Sequence, residues 1–141
     1  MHEKLVVVLD TNVFVSALLS PMGAPGLILR RFRQGDFNIV TSRQQIKEIQ
    51  AVLKRPSLAR ALPKGTTREA IGFFHLVKNL TKILKPPGLS WDFKDSGDHF
   101  LLDLIVFAKA NFLITGDHRL QSLKLIQGTA IVSPVEFLGC L

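Results

Sequence analysis

The chain has 141 residues with one cysteine, Cys140, so we expect a single domain (1–141) without disulfides in a reducing cytoplasm. Hydrophobic residues make up 47%, yet no apolar run reaches the roughly 18 residues of a membrane span and no signal peptide is visible, which argues against a membrane protein. The net charge of +7 and pI near 10.0 favour phosphate-rich partners such as RNA, although solubility alone would account for them equally well.

The first part of the chain is predicted to alternate strands with helices. An unbroken apolar run over 5–9 is typical of a strand buried on both faces. A helix is expected over 11–19, followed by a break at 20–23. A second helix over 25–33 begins with a proline, a favoured residue of the first turn, and a strand follows over 37–40.

The rest of the chain continues the same alternation. Ser42 is predicted to cap a helix with Gln45 as its capping-box partner, and Arg55-Pro56 ends that helix. The remaining predicted elements are a helix over 67–79, a strand over 81–84, a loop over 85–88, a helix over 98–110, and strands over 112–115 and 130–132. Strands that alternate with helices predict an α/β fold, a parallel sheet layered between helices.

Acidic residues are the main candidates for a functional site. They are Asp10, Glu48, Asp98 and Asp117, with Asp95 and Asp103 as substitutes. Each has a structural alternative: Asp10 and Asp117 are favourably placed as N-caps, Asp98 complements a helix dipole, and Glu48 fits a solvated helix face. However, Asp10 and Asp117 both follow strands, and in parallel sheets functional sites form beyond the carboxyl ends of strands. The acids are therefore predicted to meet at one edge.

Carboxylates gathered at one edge repel each other unless cations neutralise them, and Mg²⁺ or Mn²⁺ is the cation that oxygen ligands favour. Asp103 lies about 140° around the helix from Asp98, so only one of them faces the site, and Asp98 is the better ligand. Asp95 would assist from the loop. Asn12 and Thr115 would orient the carboxylates, or would simply cap and terminate elements. The sequence contains no zinc-ligand spacing, phosphate-binding glycine loop or nucleophile motif.

Several segments resemble the motifs of PIN domains, especially those described as toxins of bacterial toxin–antitoxin pairs. The matching segments are 7–13 with 16–20 around Asp10, 41–56 around Glu48, 94–101 around Asp98, 112–117 ending at Asp117, and the tail 131–138. Four acids in this order make the resemblance specific, and it covers about residues 5–138.

The resemblance implies a three-layer α/β/α sandwich with a central, mostly parallel sheet. It also implies an endoribonuclease that uses one or two Mg²⁺ or Mn²⁺ ions, is often a homodimer, and pairs with a small antitoxin protein. Asp10, Glu48, Asp98 and Asp117 would be its catalytic and metal-binding residues. The chain departs from many relatives at Gly97, where they carry an acid, and at Asn111, where Asp is common. Gly97 leaves fewer spare ligands for the metal.

The sequence offers two other functions as alternatives. A phosphatase of the haloacid-dehalogenase type also begins with an Asp after its first strand, but it needs a second Asp where this chain has Asn12. A non-catalytic RNA-binding module of the same fold is the alternative from another class. Such a module would be marked by the loss of one or more acids, whereas this chain keeps all of them.

Overall fold

The computed structural model describes residues 3–62, 67–88 and 99–141, and every structural statement below refers to these. Its elements, in chain order, are β1 (Val6–Leu9), α1 (Thr11–Leu19), α2 (Ala24–Arg33), β2 (Asn38–Ser42), α3 (Arg43–Leu53), α4 (Pro56–Ala61), α5 (Thr67–Leu80), β3 (Lys82–Leu84), α6 (His99–Ala108), β4 (Phe112–Ile114), α7 (His118–Gln121), β5 (Leu125–Ile126), β6 (Thr129–Val132) and α8 (Pro134–Leu138).

The strands form one six-stranded sheet in the order β3-β2-β1-β4-β6-β5. Each neighbouring pair is parallel except β5 with β6, which is antiparallel. Strands β1 and β4 lie side by side in the middle, with Leu9 opposite Ile114 in register. The residues that follow these two strands therefore emerge next to each other at the carboxyl edge of the sheet. The α/β fold with a mostly parallel central sheet is confirmed.

Alternating side chains of β1 point into two separate cores, which explains its unbroken apolar sequence. Val7 and Leu9 pack with residues of α1, α2, α3 and α5 on one face of the sheet. Val8 packs on the other face with residues of α6, such as Leu101 and Ile105, which are wholly buried. Helices on both faces of the sheet make three layers, and burial on both sides is what a central parallel strand requires.

The start of α3 differs from the prediction in one respect. Ser42 caps the helix as expected, with its hydroxyl accepting from the N–H of Gln45 at 3.2 Å. The capping box is wrong, because the Gln45 side chain does not return to the backbone of Ser42. Gln45 is wholly buried and its amide donates to the carbonyl of Leu9 at the end of β1. Burial against the sheet therefore outweighs the local capping interaction.

Several short elements were not predicted: α4, α7, β5 and α8. Each has at most six residues, too few for a periodic pattern. The described part of the chain contains no single helix long and apolar enough to cross a membrane. Helices α1 and α2 pass that test only as a pair bent by 96°.

Candidate active site

Asp10 is the only buried acid among the described residues, with 8% of its surface exposed. It directly follows β1, and its N–H donates to the carbonyl of Ile114 at 2.9 Å, which extends the pairing of β1 with β4. Its side chain also accepts from the N–H of Asn12 at 3.4 Å and so caps α1. The structural role expected for Asp10 is therefore present, and the two central strands hold its carboxylate at the carboxyl edge.

Thr115 connects Asp10 to Asp117. It directly follows β4 and is wholly buried. Its hydroxyl donates to Oδ2 of Asp10 at 2.8 Å and accepts from the N–H of Asp117 at 3.0 Å. The orienting hydrogen bond expected from Thr115 is thus present, whereas Asn12 reaches Asp10 through its backbone N–H. A buried hydroxyl with both donor and acceptor positions engaged fixes the orientation of the carboxylate it contacts.

Asp117 lies at the same edge, as the N-cap of α7. Its Oδ1 accepts from the N–H of Arg119 at 2.8 Å, and Nε of Arg119 lies 3.8 Å from the same oxygen. The residue is partly exposed. Asp117, like Asp10, therefore has a capping role, and this role coexists with its position beside Asp10.

Glu48 approaches this edge from α3. The residue is exposed overall, but partial burial of its carboxyl group raises its pKa. An interaction with the Thr11 hydroxyl lowers the pKa, the negative charge of Asp10 raises it, and the positive charge of Arg55 lowers it. Glu48 is therefore an exposed residue of α3 that lies within electrostatic reach of Asp10.

The pKa of Asp10 is raised above its ordinary value, mainly because burial penalises the charged form. Hydrogen bonds from Thr115 and Asn12 oppose this shift, and the negative charge of Asp117 adds to it. Asp10 is therefore close enough to interact electrostatically with Asp117 and with Glu48. The charged forms of Asp10 and Glu48 are therefore destabilised, and a bound cation would relieve that cost.

This shift predicts how stability depends on pH in metal-free buffer. Because the folded-state pKa of Asp10 is raised, ionised Asp10 destabilises the fold. The penalty is absent below the unfolded-state pKa, about 3.9, and is complete above the folded-state pKa. Asp10→Asn should therefore have a higher free energy of unfolding than the wild type at pH 7 in EDTA. Urea denaturation should show this difference shrinking as the pH falls towards about 4.

The control for this measurement is Glu3→Gln, which neutralises an exposed carboxylate near the amino-terminal end of β1. It should change the free energy of unfolding at pH 7 by less than about 0.5 kcal/mol, as exposed substitutions usually do. An Asp10→Asn protein that is less stable than the wild type at pH 7, with a gap independent of pH, would contradict an energetic cost of ionised Asp10.

The remaining predicted acids are placed differently. Asp98 and Asp95 lie outside the described residues. Asp103 lies on α6, where it is half-buried and lines a pocket of about 210 Å³ with Arg43, Lys85 and Phe100. The structure thus places Asp117 and Glu48 within electrostatic reach of Asp10, whereas Asp103 lines a pocket to which none of these three residues contributes.

The donor chemistry of this cluster fits a hard cation such as Mg²⁺ or Mn²⁺, because its ligands are carboxylate oxygens. Within the described ranges, no three His, Cys, Asp or Glu side chains are arranged as a ready-made metal site. The described carboxylates that could contribute oxygen ligands to such an ion are those of Asp10, Glu48 and Asp117. The raised pKa values of Asp10 and Glu48 are the observation that supports this fit.

The sequence interpretation missed the position of Gln45 next to the site. Its amide holds the carbonyl of Leu9, one residue before Asp10, and its Oε1 has no hydrogen-bond partner among the described residues. A signal for its burial was available, since Gln45 and Ile49 are four residues apart on the face of α3 that packs in the core. Gln45 supports the backbone immediately before the acidic cluster.

A mostly parallel sheet between helices, with the buried Asp10 and two further acids at its carboxyl edge, defines an α/β protein with a candidate active site at that edge. Residues 6–119 match the family model described as PIN domain, so the chain belongs to the PIN domain family. PIN domains are generally a nuclease fold. The match is to PIN domains, so the phosphatase considered from the sequence is set aside.

Two similar proteins accompany this match. The uncharacterized protein MJ1680 of Methanocaldococcus jannaschii is 32% identical over 121 residues, which cover 86% of this chain and 76% of that protein. The structure of the PIN domain of human SMG5 is similar with a TM-score of 0.48 and 14% identity, over 96% of this chain and 97% of that one.

Proposed function

We propose that this protein is a Mg²⁺- or Mn²⁺-dependent endoribonuclease that cleaves single-stranded RNA. The observation that supports this most directly is the buried Asp10 carboxylate, which Thr115 orients and whose pKa is raised by burial and by the charge of Asp117. In a family of nucleases, an acid held at this energetic cost is a candidate for function rather than for stability alone.

The residues proposed to act are Asp10, Glu48, Asp98 and Asp117, which would hold one or two ions. When bound, such ions supply an activated water and neutralise charge on a phosphodiester. Thr115 keeps the Asp10 carboxylate in one orientation, and Gln45 holds the strand end that carries it. The proposed chemistry requires no protein nucleophile, and it therefore assigns no role to the thiol of Cys140. That cysteine is exposed near the carboxyl terminus, where it donates to the carbonyl of Glu136.

The products of RNA cleavage test this proposal. Cleavage should stop in EDTA and return with Mg²⁺ or Mn²⁺. The products should carry 5′-phosphate and 3′-hydroxyl ends, because the new bond to phosphorus comes from water and the bond to the 3′ oxygen breaks. A substrate with 2′-deoxyribose at the cleaved position should still be cut. Cyclic-phosphate ends, or cleavage that persists in EDTA, would rule this chemistry out.

The proposal also includes a role in the cell. The motifs around Asp10, Glu48, Asp98 and Asp117 resemble those of PIN-domain toxins, so we propose a toxin that acts in the cytoplasm and pairs with a small antitoxin protein. A homodimer is part of the same proposal. A small reading frame directly upstream of the gene would favour this role.

A non-catalytic RNA-binding module is the second candidate. One observation favours it: Asp10 and Asp117 both cap helices, so both have a structural use that needs no catalysis. RNA binding without cleavage across varied RNAs and with either metal would select this candidate over the nuclease.

Binding to RNA should depend strongly on salt, whichever candidate is correct. The net charge of +7 favours contacts with phosphates, and each contact releases condensed counterions. For about five contacts on single-stranded RNA, affinity should fall about 100-fold between roughly 50 and 200 mM salt. The inactive Asp10→Asn protein allows this titration without cleavage. An affinity independent of salt would make the positive charge a solubility property.

A further inference from the structure

Helices α3 and α5 pack against each other and leave a surface depression that we call the α3–α5 groove. It consists of two successive hollows of about 440 and about 470 Å³. The apolar residues that line it are Ile46, Leu53, Ile71, Phe74 and Ile83. Ile71 is 57% exposed and Ile83 is 39% exposed, so this apolar surface is uncovered in the described chain. Exposed apolar side chains that line a surface depression are typical of binding sites.

The rim of the α3–α5 groove is basic. Arg43 and Lys47 of α3 and Lys54, its C-cap residue, recur at helical spacing along one side of the helix, and all three are exposed. Lys78 lines the groove from α5. Among the described residues, the lining of both hollows includes no Asp or Glu. The groove therefore complements an occupant that carries apolar side chains flanked by negative charges.

Three occupants can be compared on these two features. RNA phosphates would pair with the rim but would leave the apolar lining uncovered. A second copy of this chain that met this groove with its own would bring an identical basic rim, which would repel this one, so a homodimer would form through another surface. An acidic amphipathic helix would cover the apolar lining with its apolar side chains and would pair with the basic rim through its acidic side chains. Because α3 has 11 residues, about 16 Å, the groove matches about three turns of such a helix.

We propose that the α3–α5 groove binds an acidic amphipathic helix of a partner protein. Apolar side chains spaced by three and four residues would cover the lining, and Asp or Glu on the flanks would pair with the rim. Arg55 lies in the same groove and its charge also acts on Glu48. An occupant there would therefore lie beside the candidate active site.

This inference concerns the protein partner of the proposed function, but the binding measurement needs no cleavage. It can use the Asp10→Asn protein, so failure of the groove and failure of the nuclease are separate results. The probe is a labelled synthetic 14-residue helical peptide with Leu at three- and four-residue spacing and Glu on both flanks. Its controls are a scrambled peptide, a peptide with Lys in place of Glu, and a 12-nucleotide single-stranded RNA.

Fluorescence anisotropy should show that the acidic peptide binds and the two control peptides do not. Ile71→Ser should weaken binding about tenfold, because it removes apolar contact. The double variant Lys47→Glu with Lys78→Glu should weaken binding at least about tenfold, because attraction becomes repulsion. Matched exposed substitutions elsewhere, Leu125→Ser and Lys109→Glu with Lys124→Glu, should change affinity less than about twofold.

Two results would overturn the inference. The first is peptide affinity that is unchanged by the groove variants. The second is an RNA that binds while the peptide does not, with RNA affinity lowered by the double charge reversal and insensitive to Ile71→Ser. That second pattern would make the groove a phosphate-binding surface.

Discussion

Asp10→Asn should reduce RNA cleavage by about a hundredfold or more while leaving the protein folded. The loss of a partner that merely orients a metal ligand costs 10–100-fold, so the loss of the ligand itself should cost at least as much. Asparagine is as good an N-cap as aspartate, so α1 should keep its start. Initial rates on one single-stranded RNA, with unfolding curves for both proteins, measure the two effects separately.

A graded series makes this prediction specific to the cluster. Asp117→Asn should match Asp10→Asn, because both carboxylates belong to the same proposed site. Thr115→Val removes the hydroxyl that orients Asp10 and should cost about 10–100-fold. Asp103→Asn is the matched control, since Asp103 lines a pocket to which Asp10, Glu48 and Asp117 do not contribute, and its rate should stay near that of the wild type. Equal losses from Asp103→Asn and Asp10→Asn would contradict the proposed site.

The long elements and the edge where the acids meet could be predicted because they rest on strong patterns. The apolar run of β1 identifies a strand buried on both faces, and the structure places it at the centre of the sheet. Parallel pairing of β1 with β4 brings the residues that follow the two strands side by side. The position of Asp10 beside Thr115 follows from this pairing. The direct contact between their side chains required the structure.

The carboxyl-terminal hairpin could not be predicted from the same patterns. Strands β5 and β6 are joined through Gln127 and Gly128, both with positive φ (44° and 89°). The usual sequence signal for such a turn is Asn-Gly or Asp-Gly, and Gln in the left-handed region is uncommon. The two residues of β5 are also too few to show alternation. Tertiary pairing with β6 therefore defines this strand, rather than local propensity.

The connection between α1 and α2 shows a different limit of the sequence. The break at 20–23 was predicted, but the close approach it creates was not. Gly26 lies in the first turn of α2, directly over the backbone of Pro21. A Cβ atom at this position would lie 2.0 Å from the Pro21 carbonyl oxygen and 2.4 Å from its carbonyl carbon. Sequence alone cannot distinguish this glycine from one with open space around it.

Gly26→Ala should therefore destabilise the protein strongly. The clash is with backbone atoms, so either the turn or α2 must shift, and α2 carries the buried core residues Ile28, Leu29 and Phe32. We expect a loss of about 3 kcal/mol in the free energy of unfolding, the upper end of the usual cost of overpacking. Such a loss is a large fraction of the roughly 5–15 kcal/mol that stabilises a typical domain. Urea denaturation of the purified variant measures it directly.

Gly72→Ala provides the matched comparison for this prediction. Gly72 also lies inside a helix, α5, but a Cβ atom there would meet nothing within 4 Å. Alanine should stabilise that position by about 0.5–1 kcal/mol, because it has less backbone freedom to lose on folding. The same substitution should thus have opposite signs at the two helical glycines. If both variants gained stability, Gly26 of α2 could not lie as close to the backbone of Pro21, in the break at 20–23, as the structure shows.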